Sequence, residues 1–135
     1  MAEKIRRVTY SYVEVPDKPG EGARVLAAFQ QQGVSLLSVT AFPTSAGRSQ
    51  IDVIAASGDL DAAASKAGLK LSPRKQAFFV SGDDRPGAVA DILRRLSEAK
   101  VNVTATNAAC GQTGFGMVVF VKPGDVEAAA KALGV

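Results

Sequence analysis

One segment of this chain occurs twice. Asp17, Lys18, Pro19 and Gly20 return 67 residues later as Asp84, Arg85, Pro86 and Gly87, and the match continues without a gap. Val25, Leu26, Phe29, Val34, Ser35 and Leu36 correspond to Ile92, Leu93, Leu96, Val101, Asn102 and Val103. After a one-residue gap it resumes, with Gly58, Asp59, Leu60 and Asp61 followed by Ala62, Ala63 and Ala64, against Gly124, Asp125, Val126 and Glu127 followed by Ala128, Ala129 and Ala130. A repeat of this length means that whatever one copy folds into must be built twice. Two domains are therefore expected in the 135 residues, at 1–72 and 73–135. Units of about 65 residues have marginal cores, so packing against a partner or self-association is expected to support them.

Each copy tests the reading of the other. Val8, Tyr10 and Tyr12 alternate with Arg7, Thr9 and Ser11, which is strand spacing, and Ala77, Phe78, Phe79 and Val80 hold the same place in the second copy. After each Pro-Gly pair, Gly22, Val25, Leu26 and Phe29, or Val89, Ile92, Leu93 and Leu96, recur every three or four residues and predict a helix with one buried face. Arg24, Gln30 and Gln31, and Asp91, Arg94, Arg95 and Glu98, face water. Gly33 marks the helix end. Strands are predicted at 34–40 and 101–106, turns at 43–47 and 111–114, and strands again at 51–55 and 117–121. Ala-rich helices follow, with Asp59 and Asp125 placed as N-caps. Residues 117–121 are apolar on both faces, so cover is expected on the sheet face away from the helices.

Leu69, Lys70 and Leu71 predict a fourth strand that completes a βαββαβ order in the first copy. The second copy has no such strand after its last helix, which leaves a sheet edge open to a swapped strand or another chain. The fold class expected is α+β: two tandem ferredoxin-like domains with antiparallel sheets and helices on one face, the final strand missing from the second.

Charge and composition narrow the chemistry. Sixteen Lys and Arg against thirteen Asp and Glu give a net charge of +3, but the basic residues are scattered, so no nucleic-acid partner is expected. With no histidine and one cysteine, the chain lacks the usual zinc ligands, an intrachain disulfide, and any Ser-His-Asp or Cys-His arrangement. Cys110 reads as a small residue near a turn, a reactive thiol being the sharper alternative. Asp83 and Asp84 are adjacent and poorly placed to aim at one point, and Asp84 reads as a helix cap. No cofactor, metal or enzymatic activity is expected. No apolar run approaches the roughly 18 residues that span a membrane, and the N-terminus lacks an apolar targeting segment, so no membrane contact and a cytoplasmic location are expected.

The aspartate-base-proline-glycine loop carries the strongest local signal. Its carboxylate can cap a helix, its proline suits a first turn, and its glycine leaves free N–H groups bare enough to receive an anion. Capping alone accounts for these residue types. The loop, the helix spacing, the polar residue opening the next strand and the tandem repetition together resemble the ACT domain family, over residues 15–37 and 81–105 and the strand and helix behind each. The chain is similar to the short stand-alone tandem ACT proteins of bacteria.

That resemblance implies an amino-acid site at an interface between two domains. By position, its residues are Asp84, Arg85, Pro86, Gly87, Ala88, Asn102 and Val103 in the second copy, and Asp17, Lys18, Pro19, Gly20, Ser35 and Leu36 in the first. Glu21 and Gly22 depart from the family's aliphatic pattern, and Glu21 sets negative charge beside an incoming carboxylate. The second site is therefore expected to be the better one. The function implied is regulatory: a non-catalytic protein that binds an amino acid or similar metabolite, self-associates as a dimer, and acts on a partner metabolic enzyme. The alternative is a protein-interaction subunit of such an enzyme with no ligand of its own, its loops serving only to cap helices.

Overall fold

The computed structural model describes residues 3–135. They form an α+β fold of six antiparallel strands and four α-helices. In chain order these are β1 (Lys4–Pro16), α1 (Glu21–Gln31), β2 (Ser35–Ser45), β3 (Arg48–Ser57), α2 (Leu60–Lys66), β4 (Lys75–Gly82), α3 (Ala88–Glu98), β5 (Val103–Gly111), β6 (Gly114–Val121) and α4 (Val126–Leu133). They divide into two compact units, Tyr10–Arg74 and Lys75–Val135, and residues 3–9 belong with the second. A division at 72/73 misplaces that short segment.

In the first unit the strand order is β2, β3, β1. The ladder pairs Ser11 with Val53 and Val13 with Ile51, so alternate residues of both strands share one face. Val13, Val15, Ile51 and Val53 on that face pack with Val25 and Phe29 of α1 and Leu60, Ala63 and Ala64 of α2. Phe29, fully buried, is the largest of these. Burying a side chain of its class contributes about 1.5–3 kcal/mol. Asp59 caps α2 as expected, accepting the Ala62 N–H at 3.0 Å.

The fourth strand expected at Leu69, Lys70 and Leu71 does not form. The Leu69 N–H is used to close α2, donating to Ala64 C=O at 2.8 Å, and the Leu69 and Leu71 side chains turn onto the core.

In the second unit the order is β1, β4, β6, β5, with the N-terminal part of β1 at the edge of β4. The edge that the sequence leaves open is thus filled by residues from the start of the same chain. Ile5 packs onto Phe78, Val80, Ile92, Leu96, Met117, Val119, Val126, Ala129 and Leu133, the core beneath α3 and α4. Val118 and Phe120 alternate with this set and are also buried. Nearby on β4, Phe79 carries the Arg6 guanidinium 5.6 Å from its ring centre, a cation–π arrangement. Asp125 does not cap α4 with its side chain. The chain enters that helix through a 3-10 turn, Pro123–Asp125, so Asp125 already has helical backbone angles.

Candidate ligand-binding site

The two loops are built alike, but their aspartates do not cap helices. Gly20 and Gly87 are the N-cap residues, both left-handed at φ 93° and 84°, and neither helix receives a side-chain cap. Only glycine takes this conformation freely, and that requirement, more than a bare surface, explains the residue. The first backbone bonds across each cap are equivalent: Arg24 N–H to Gly20 C=O and Asp91 N–H to Gly87 C=O, each 2.9 Å. The amides of Gly22 and Ala23, and of Val89 and Ala90, lie in the first turn, ahead of any acceptor inside the helix.

Each aspartate is instead tied to the far end of its own β-hairpin. Asp17 accepts from Ser49 Oγ at 2.9 Å, and its N–H donates to Gly47 C=O at 2.9 Å. Asp84 accepts from Cys110 Sγ at 3.2 Å. That hydrogen bond raises the Cys110 thiol pKa above its ordinary value, so the exposed thiol is held in its less reactive protonated form.

Arg85 in the second loop and Glu21 beside the first are each ion-paired. Arg85 reaches Asp91 at 2.7 Å, which holds the Asp91 carboxyl below the ordinary carboxylate range. Glu21 bonds Arg24 at 3.1 Å, which likewise lowers its pKa. The negative charge expected to disturb the first loop therefore already has a partner. A cavity of about 270 Å³ opens there, lined by Val15, Asp17, Lys18, Glu21, Phe42 and Ile51 among others. Ala88 is buried in the second core.

Ser35 and Asn102 stand at the opposite ends of their helices from the loops. α3 has eleven residues, about 16 Å at 1.5 Å per residue, and Asn102 follows its C-terminal end. Each polar residue opens a groove at the helix end. The first groove, about 670 Å³, includes Leu26, Gln30, Val34, Ser35 and Leu36. The second, about 460 Å³, includes Leu93, Ser97, Val101, Asn102 and Val103. These sets correspond residue for residue under the repeat. Within one unit, the loop and the polar strand residue do not meet.

No family model matches the sequence, and no curated protein matches it. Solved structures do share the architecture along almost the whole chain. Protein BT0572 from Bacteroides thetaiotaomicron superposes with a TM-score of 0.80 at 15% identity, covering 96% of this chain and 88% of that one. The ligand-free regulatory subunit of aspartate kinase from Thermus thermophilus gives 0.63 at 15% identity, covering 98% and 94%. The fold is ACT-like. At such identities the likeness concerns the fold, and a fold hosts many functions.

Other features of these ACT-like units had little or no signal in the sequence. The ties of Asp17 to Ser49 and of Asp84 to Cys110 join residues that no local pattern links. Among the described residues, no group of three or more His, Cys, Asp and Glu is arranged to hold a metal, and no helix is long and apolar enough to cross a membrane.

Proposed function

We propose that the chain is a regulatory module that binds an amino acid or similar metabolite, and that each site is completed by a second copy of the chain. The observation that carries this reading is the separation of the two half-sites along α3. β5 runs from beside Asn102 to Cys110, which touches Asp84 of the loop. It is an outer strand of its sheet. It carries no charge in Val103–Gly111 and is exposed along almost its whole length, the type of edge that accepts another strand. Antiparallel pairing of β5 with its counterpart about Asn107 sets Val103 opposite Gly111. Asn102 of one copy then stands beside the Asp84–Gly87 loop of the other. There it can bond both carboxylate and ammonium groups, while the first-turn amides of α3 receive the carboxylate.

Fold likeness to an aspartate kinase regulatory subunit supports a regulatory role exercised on an enzyme, and the absence of a histidine weighs against general acid–base chemistry of the commonest kind. The same arrangement serves the first copy, with Ser35, Leu36 and the Asp17, Lys18, Pro19 and Gly20 loop. Val39 and Phe42 on its edge strand β2 are more than one-third exposed, which favours the alternative of a protein-interaction subunit if no ligand binds.

Complementation tests the reading. Calorimetry over an amino-acid panel should show binding to the wild-type chain and loss of binding at the second site in Asn102→Ala and in Gly87→Val. In a symmetric dimer, a remixed sample of the two variants should recover about a quarter of the second-copy sites, because each heterodimer keeps one intact loop opposite one intact Asn102. No recovery on mixing excludes a shared site, and no binding by the wild type excludes the ligand reading.

A further inference from the structure

Where the first unit lacks its fourth strand, a cavity of about 430 Å³ stands beside β1, lined by Tyr12, Glu14, Arg48, Lys70, Leu71 and Ser72, with Pro73 at its margin. The backbone around it has a definite polarity. Tyr12 N–H donates to Ser72 Oγ, and Ser72 N–H donates to Tyr12 C=O, both at 2.9 Å. The Tyr12 peptide groups therefore point away from β3, and by the alternation of a strand so do those of Glu14. Asp17, of opposite parity, donates to Gly47 on the β3 side, in agreement.

Beyond Glu14 the edge closes again. Pro16 has no N–H, and its C=O accepts from Lys18 at 3.0 Å. Among the described residues nothing pairs with the outward Glu14 N–H and C=O, which form a single-residue length of free sheet edge between two closed positions.

The side chains around this gap have matching chemistry. Arg48 and Lys70 supply two cations. Glu14, 4.0 Å from Arg48, supplies a carboxylate, and Tyr12 and Leu71 supply an apolar wall. One N–H beside one C=O fits one residue of an extended peptide. Two cations fit a terminal carboxylate, which Arg can hold through two bonds.

We propose that this cavity binds a dipeptide. One ligand residue completes the ladder at Glu14, the C-terminal carboxylate lies between Arg48 and Lys70, the ammonium faces Glu14, and a side chain rests on Tyr12 and Leu71. The closed ends at Ser72 and Pro16 set the length limit. The site belongs to the first unit alone and does not rest on the loops, on Asn102 or on a second copy of the chain.

The test uses the full chain and L-alanyl-L-alanine, followed by amide NMR shifts and calorimetry. Saturable shifts should centre on Glu14 and on residues 70–72. Arg48→Gln combined with Lys70→Gln should weaken binding about tenfold or more, as should the dipeptide amide, which lacks the carboxylate and needs no protein variant. The amides of the Asp84–Gly87 loop should stay unshifted at saturating dipeptide, which separates this site from the loop site. The proposal is overturned by any of three results: no shift at Glu14, equal affinity for the dipeptide and its amide, or free L-alanine moving the same amides as strongly.

Discussion

Lys100 holds a position that the repeat gives to a glycine. Gly33 ends α1 at φ 71°, and at the matching place after α3 Lys100 is left-handed at φ 58°. Both helices end with the same backbone bond, Val34 N–H to Phe29 C=O at 3.0 Å and Val101 N–H to Leu96 C=O at 2.9 Å. A left-handed non-glycine residue costs about 1–2 kcal/mol, so Lys100→Gly should raise stability by about 1 kcal/mol in urea denaturation. Gly20→Ala or Gly87→Ala should cost a similar amount by the same mechanism, since no atom crowds either site closer than Arg85 Nη1, 4.0 Å from the Gly87 position. Charge acts at this scale too. Glu21, Asp91 and Glu127 are each held below the ordinary carboxylate range by a hydrogen bond from Arg24, Arg85 and Arg7 respectively. A depressed folded pKa contributes stability that is complete above the unfolded value and is lost as pH falls through the folded one. The melting midpoint should therefore stay level from neutral to mildly acidic pH and drop below it, and Arg7→Ala should make that drop shallower. In thiol alkylation at constant pH, Asp84→Asn should speed the reaction of Cys110. The repeat made the loop residues legible, but not their partners: an aspartate before Pro-Gly reads as a cap because the sequence cannot show that a left-handed glycine has taken that place.

At the level of elements, helix spacing was readable because a buried stripe such as Ile92 and Leu96 recurs with the helical period, and α1 and α3 lie where that period puts them. Strand ends were not, because an edge strand has little to bury. β5 continues to Gly111 through exposed residues, held by pairing with β6 and carrying no periodic signal. The segment after α2 shows the opposite error: Leu69 and Leu71 have strand spacing, yet they serve the core and a helix end. The filling of the β4 edge by the first residues of β1 was outside any local pattern, since it joins positions about half the chain apart. Removing residues 3–9 should strip Ile5 from the second core and the Arg7–Glu127 pair, bonded at 2.9 Å, from α4. The shortened chain should bind a hydrophobic dye and aggregate on gel filtration, while Ile5→Val alone should cost about 0.5–1.5 kcal/mol.

Across the whole molecule, the backbone passes between the two units twice, once inside the continuous strand β1 and once at Arg74. Arg74 is anchored on the first side, donating to the fully buried Ser11 Oγ at 2.7 Å and to Asp61 at 3.1 Å. A strand cannot lose half its ladder without fraying the remainder, so the units should unfold together. Phe29→Ala in one core and Phe78→Ala in the other should each cost about 3–5 kcal/mol and shift one shared transition; two separate transitions would refute this coupling. The strand also has a timetable. Residues 4–9 leave the ribosome well ahead of their neighbour β4, which begins only at Lys75, and at roughly 5–20 residues per second that neighbour arrives roughly 3–13 s later. The first half of the chain can close its core during that wait while the leading segment stays unmatched. The second half has no complete sheet until it recovers that earlier piece, so its assembly joins segments synthesised before and after the whole of the first unit.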